Sequence, residues 1–332
     1  MKAMLLEQIA PIESSPLRLR DLPVPVPQAG EVRLKVQCCA VCRTDLHVVE
    51  GDLEPQKMPV VPGHQIVGRV DALGPGAEQF RLGQRIGVAW LRWTCGQCKF
   101  CTSGRENLCE SARFTGYHAD GGYAEYAVVP EGFAYEIPDV VDDVEAAPLL
   151  CAGIIGYRAL RRAGLPAGGK LAMYGFGSSA HVLIQIARHR GCEVYVVTRD
   201  EMHRDLARRM GAAWVGAKPQ DLPVKADSAI IFAPVGELVP PALERLEKGG
   251  TLALAGIYMT PIPAMDYQQY VFYERDIHSV TSNTRDDGRE LLAAAAEIPI
   301  RPHTTVYPLA DANRALQDLK ADRISGTGVL VV

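Results

Sequence analysis

KLAMYGFGSSAHVLIQIARHRGCEVYVVT, residues 170–198, sets the architecture of the chain. Residues 170–174 form a short apolar run of the kind that makes a buried strand, and 181–190 carry helical periodicity ended by Gly191. Between them Gly175-Phe176-Gly177-Ser178-Ser179-Ala180 is a tight GxGxxA turn, and 193–198 read as the next strand. Strand, glycine turn, helix and strand in this order predict a parallel unit. In such a unit the glycines let the backbone approach a pyrophosphate, and the helix N-terminus stabilises its charge. Gly175, Gly177, Ser178 and Ser179 are the residues placed for that contact.

The end of the second strand bears on which dinucleotide fits. Sites selective for NAD carry an acidic residue there to bind the ribose hydroxyls. Counted back from Gly211-Ala212, that position is Thr198, which leaves Arg199 to meet a 2′-phosphate. NADP(H) is therefore favoured over NAD(H), with Asp200 two residues on keeping the other reading open.

Outward from this unit the rhythm continues. Strands are expected at 228–233, 251–255 and 277–281, with a helix over 238–247 closed by Gly249 and Gly250. The alternation predicts a doubly wound parallel sheet. Residues 1 to about 140 differ: they are rich in Val, Gly and Pro, with period-two runs such as EVRLKV (31–36) and GYAEYAVV (122–129). These predict half-buried strands in a mostly β domain. From about 284 an alanine-rich helix is followed by strand-like segments ending in GVLVV, which make that domain discontinuous if they rejoin it. The expected division is 1–149 with 285–332, and 150–284.

A chain of 332 residues is too long for one ordinary core, in keeping with two domains. Its 48% hydrophobic and 22% charged residues are those of a soluble globular protein. A net charge of -4 offers no basis for nucleic-acid binding. No uninterrupted apolar run is long enough for a membrane span. The N-terminus lacks the features of a secretory signal, so a cytoplasmic location is expected, where cysteines serve as metal ligands or free thiols.

The nine cysteines divide by spacing. Cys95, Cys98, Cys101 and Cys109 form a compact CxxCxxCxxxxxxxC run in a lobe near 93–112, a closed four-thiolate set suited to structural zinc. Cys42, His64 and Cys151 lie far apart and meet only in a folded structure; together they offer three ligands and leave an open position. Taken singly, His64 reads as a satisfied histidine and Cys151 as a buried thiol, and Asp120 is the alternative third ligand. Cys38, Cys39 and Cys192 read as packing residues.

CRTDLH (42–47), PGHQIVG (62–68), CGQCKFCTSGRENLC (95–109), DGGYAEY (120–126), LLCAGIIGYRAL (149–160), GFGSSAH (175–181) and ISGTGVL (324–330) together resemble the zinc-containing medium-chain alcohol dehydrogenases almost from end to end. The resemblance implies a discontinuous GroES-like catalytic domain beside a Rossmann cofactor domain. It implies two zinc ions per subunit, the catalytic one on Cys42, His64 and Cys151. Thr44 would hydrogen-bond the reacting hydroxyl and begin a proton relay through the cofactor ribose to His47, while Asp45 fixes the His64 ring. Arg43 would meet the cofactor pyrophosphate, and Arg285 would lie near the cofactor. A homodimer or homotetramer is implied too.

Zinc has no redox chemistry and acts as a Lewis acid, so hydride transfer must fall to the nicotinamide. The expected reaction is interconversion of alcohols with aldehydes or ketones. Trp90, Trp93, Phe114 and Tyr117 are candidates to line an apolar substrate cleft. Three positions depart from the family: Gln65 where Glu is usual, Ile155 where Thr is common, and Thr327 where many have Arg. Two other readings stay open: an NADPH-dependent aldehyde or enone reductase, and a cofactor-binding sensor or scaffold in which those three positions record lost turnover.

Overall fold

Lys170–Tyr174 lies inside a six-stranded, all-parallel sheet in the computed structural model, which describes residues 1–332. The spatial order is Trp214–Gly216, Glu193–Val197, Lys170–Tyr174, Ala226–Ile231, Leu246–Leu254 and Asp276–Ser279. This is the doubly wound order 3-2-1-4-5-6, with the direction of progression reversing beside the first strand. Leu171, Ala172, Met173 and Tyr174 are all buried, as befits a strand covered on both faces. The chain leaves it through Gly175, whose φ of 93° is open to glycine, and whose missing Cβ would lie 3.1 Å from the Ala233 nitrogen. The helix Ser178–His189 follows at once.

One boundary differs from the sequence reading. The expected helix over 238–247 is shorter, Val239–Glu244, and the strand begins at Leu246. Gly249 and Gly250 do not stop a helix. They sit in a register break, in which Ala226 faces Leu246 but Ser228 faces Thr251, and Gly249 takes a φ of 75°. The pair is a bulge within the strand.

Two compact units make up the chain, Met1–Cys151 with Ser282–Val332, and Ala152–Thr281. Cys151 thus falls in the first unit, whereas the expected boundary put it in the second. The first unit is built on a seven-stranded sheet centred on Glu31–Ala40. Along one edge that strand pairs with Gln65–Leu73; along the other it pairs with Tyr126–Pro130 and the C-terminal strand Thr327–Val331. Val32, Leu34, Ile66, Ile86 and Leu330 belong to the core cluster of this unit. No helix is long and apolar enough to cross a membrane.

Candidate metal centres and cofactor turn

Strand register builds the first centre. Ala40 pairs with Gln65 in the antiparallel ladder, so Cys42, just past one strand, and His64, just before the other, emerge side by side. Cys151 arrives from the helix Asp143–Pro148, which packs against both strands. After Pro148, which has no amide hydrogen to continue the ladder, the chain forms a π-turn over Leu149–Gly153 and presents Cys151 from it. The ligand atoms of Cys42, His64 and Cys151 lie within 4.8 Å of one another.

Asp45 organises this group. In the first turn of the helix Arg43–Glu50, its Oδ1 meets His64 Nδ1 at 2.9 Å and accepts the Gly63 N–H at 3.2 Å. Its Oδ2 accepts the Cys42 N–H at 2.9 Å and the Tyr123 hydroxyl at 3.1 Å. Because a carboxylate only accepts, the Asp45 contact puts a proton on Nδ1 and turns Nε2 toward the two sulfurs. Nε2 is buried without a hydrogen-bond partner. A hydrogen bond from Cys151, reinforced by His64, pulls the Cys42 thiol well below its ordinary range against the effect of burial. Burial likewise opposes charge on His64, but the Asp45 carboxylate outweighs it and lifts the ring to about 10. Two sulfurs and an orphaned imidazole nitrogen converging on one point are a donor set that fits zinc.

The relay candidates lie on the same helix. Thr44 is buried, its Oγ1 3.7 Å from Cys42 Sγ. His47 Nδ1 is 2.8 Å from Asp52 Oδ2, a partner the sequence reading did not name. Arg43 pairs with Asp322 at 2.5 Å. Asp120, the alternative ligand, is ion-paired with Lys57 and accepts the Val61 N–H at 3.0 Å, outside the cluster. Beside His64, Trp90 presents a ring at 4.9 Å and stacks on Phe114 at 4.9 Å and on Tyr117 at 5.8 Å. Trp93 is not in this stack; its ring takes the Arg113 guanidinium instead. Thr327 is buried at the start of the C-terminal strand.

Four sulfurs form the second centre. The Cys98–Cys101 and Cys95–Cys101 Sγ separations are 3.6 and 3.9 Å. Sulfurs about 2.3 Å from a common zinc would stand about 3.8 Å apart, whereas a disulfide would need about 2.05 Å. Backbone N–H groups of Gln97 and Cys98 hold the Cys95 thiol down at about 6.

Arg285, expected near the cofactor, is held in the structure by Glu106. Its guanidinium is clamped by both Glu106 oxygens at 2.7–3.1 Å and lies over Phe133, while its N–H donates to Glu106 at 2.8 Å. The pair ties the cysteine lobe to the helix Arg285–Glu297. Burial works against charge on Glu106, yet the Arg285 hydrogen bonds keep its carboxyl below the ordinary range. Glu106→Gln is expected to lower stability by about 2 kcal/mol, short of the 3–5 of a fully buried pair because Arg285 keeps some solvent contact. The midpoint of urea unfolding measures it.

In the second unit Gly177 caps the helix Ser178–His189, and a Cβ there would meet nothing within 4 Å. Thr198 is buried just beyond the second strand. Asp200 accepts the His203 N–H and so caps the helix Glu201–Arg209. Arg204 braces the turn through the Thr198 and Arg199 carbonyls, leaving the Arg199 side chain exposed.

A dinucleotide turn on a doubly wound sheet and two zinc-type donor sets are the marks of a zinc-binding dehydrogenase. Residues 28–139 match the alcohol dehydrogenase GroES-like domain and 180–297 the zinc-binding dehydrogenase domain. A probable alcohol dehydrogenase, AdhA, of Mycobacterium tuberculosis is 50% identical, over 100% of this chain and 97% of its own. An alcohol dehydrogenase of Geobacillus stearothermophilus is 33% identical over 100% of both chains. A solved NAD-dependent alcohol dehydrogenase, 26% identical, superposes over 100% of both chains with a TM-score of 0.90. The chain belongs to the zinc-containing medium-chain alcohol dehydrogenase family.

Proposed function

We propose that the protein interconverts alcohols with aldehydes or ketones, Cys42, His64 and Cys151 holding the catalytic zinc and Cys95, Cys98, Cys101 and Cys109 a structural one. The observation that carries this reading is the buried His64 Nε2, orphaned beside two sulfurs and held from behind by Asp45. When bound, zinc supplies Lewis acidity and the nicotinamide supplies or accepts the hydride. Thr44, buried against Cys42, is the hydroxyl that hydrogen-bonds the reacting oxygen. His47 takes the proton onward, its ring oriented by Asp52. The Trp90, Phe114 and Tyr117 stack favours medium-sized apolar or aromatic substrates.

Gly175, Gly177, Ser178 and Ser179 cradle the cofactor pyrophosphate. Arg43, ion-paired with Asp322, is a candidate phosphate ligand by family resemblance. NADP(H) is the preferred cofactor. Asp200 is committed to capping a helix, Thr198 carries no charge, and Arg199 is exposed at the place a 2′-phosphate would occupy.

Oxidation of NADPH and NADH in parallel over a panel of aldehydes tests the function. Turnover is expected, with kcat/KM higher for NADPH; no turnover with any substrate would favour a silent cofactor-binding protein. Arg199→Ala should cut kcat/KM for NADPH about tenfold and leave that for NADH within about twofold, as loss of one charge-assisted contact predicts.

Nine unpaired cysteines support a reducing, cytoplasmic setting. Exposed Tyr267, Phe272 and Tyr273 near the edge strand Asp276–Ser279 support a homodimer or homotetramer.

A further inference from the structure

Tyr123 lies in the DGGYAEY stretch and has no part in the function proposed above. Its side chain is completely buried, yet it ends in a hydroxyl. Such a group stays buried only when it is hydrogen-bonded, and its partner is Asp45 Oδ2 at 3.1 Å. Burial and the nearby Asp45 charge push the phenol well above its ordinary range, so it remains a donor.

The backbone leaves this ring little freedom. Residues 121–123 are stitched to the segment before His64: Gly121 N–H donates to Val61 O at 2.7 Å, Gly122 N–H to Gly63 O at 2.9 Å and Tyr123 N–H to Pro62 O at 3.0 Å. On its other side Tyr123 O accepts the Met4 N–H at 2.8 Å. Gly63 has a φ of 96°, and a Cβ there would fall 2.3 Å from the Tyr123 ring. The ring therefore lies directly against the backbone that delivers His64, while its hydroxyl reaches the carboxylate behind the same imidazole.

We propose that Tyr123 is a positioning residue for the three-donor metal site, holding Asp45 in the orientation that fixes His64. The proposal rests on the reading of Cys42, His64 and Cys151 as ligands. Asp45 Oδ1 serves His64 and Gly63, and Oδ2 serves Cys42 and Tyr123. Without the phenol, Oδ2 keeps a single backbone donor in a buried setting, and the carboxylate gains freedom to rotate away from Nδ1. Outer hydrogen bonds of this kind typically alter metal affinity about 10–100-fold.

The test uses zinc- and cobalt-loaded full-length protein. Tyr123→Phe keeps the ring against Gly63 and removes only the hydroxyl. Under chelator challenge the variant should lose its more labile metal about tenfold faster than wild type, and its cobalt d–d bands should shift, while the second metal leaves at the wild-type rate. In an Asp45→Ala background, which leaves the hydroxyl no acceptor, the same substitution should have no further effect, because the phenol acts only through that side chain. Unchanged release and unchanged bands overturn the proposal alone, as does an effect that persists in the Asp45→Ala background. If Cys151→Ser still binds two metals per chain, the three-donor reading fails and the proposal falls with it.

Discussion

Cys151→Ser is expected to abolish turnover and to reduce bound zinc from two ions per chain to one, with the fold retained. Cys151 follows Leu149 and Leu150 in its π-turn, both completely buried, so the turn keeps its anchors when the thiol is lost. The metal site does not. A serine hydroxyl is not ionised near neutral pH, and Cys42 with His64 then offers a two-ligand set, below the three that catalytic zinc sites use. Loss of that zinc removes the group that stabilises charge on the reacting oxygen, so kcat/KM should fall at least a thousandfold, about 4 kcal/mol of transition-state stabilisation. Metal analysis and steady-state kinetics on the same preparation decide the matter. A variant that keeps both zinc ions and its activity would remove Cys151 from the site and reopen the choice of third ligand.

Cys98→Ser should have the largest effect on stability. The 95–109 segment has only two short 3-10 turns, Cys101–Ser103 and Glu106–Leu108, and its buried residues are mainly polar. With no apolar core of its own, the lobe is expected to depend on a bound metal for order. Structural zinc contributes about 10–16 kcal/mol of binding free energy in small zinc domains, so one lost thiolate outweighs any single hydrogen bond at about 1 kcal/mol. The expected outcome is one bound zinc, rapid proteolysis within the lobe and a lowered midpoint of thermal unfolding. Because Glu106 clamps Arg285, protection of the amides at the start of the helix Arg285–Glu297 should fall as well. Wild-type proteolysis and hydrogen exchange in Cys98→Ser would show that the lobe holds itself together without the four-sulfur set.

Features carried by neighbouring residues are the ones legible in the chain. The glycine turn after Lys170–Tyr174 declares itself because strand, turn and helix each have their own period and their own breaker residues. The four lobe cysteines do so because all of them fall within fifteen residues. The Gly249-Gly250 pair misleads for a related reason: glycine serves a helix end and a bulge equally well, and only pairing with Ala226–Ile231 selects the bulge. Arg285 conceals its clamp for another. Its partner Glu106 is 179 residues away, and no local pattern records that distance.

The order of residues along the chain is thus enough for the class of protein: a doubly wound dinucleotide unit, a compact four-thiolate lobe, and the residue types of an open zinc site. Which groups hold those residues in place emerges only on folding. The Ala40–Gln65 register sets Cys42 beside His64, and Tyr123 reaches Asp45 across 78 residues of chain. Asp52 behind His47 also becomes visible only when the turn after the helix Arg43–Glu50 has closed. The difference is one of range. Periodicity and spacing report interactions a few residues long, whereas a buried carboxylate takes its donors from whichever strands and loops packing brings to it.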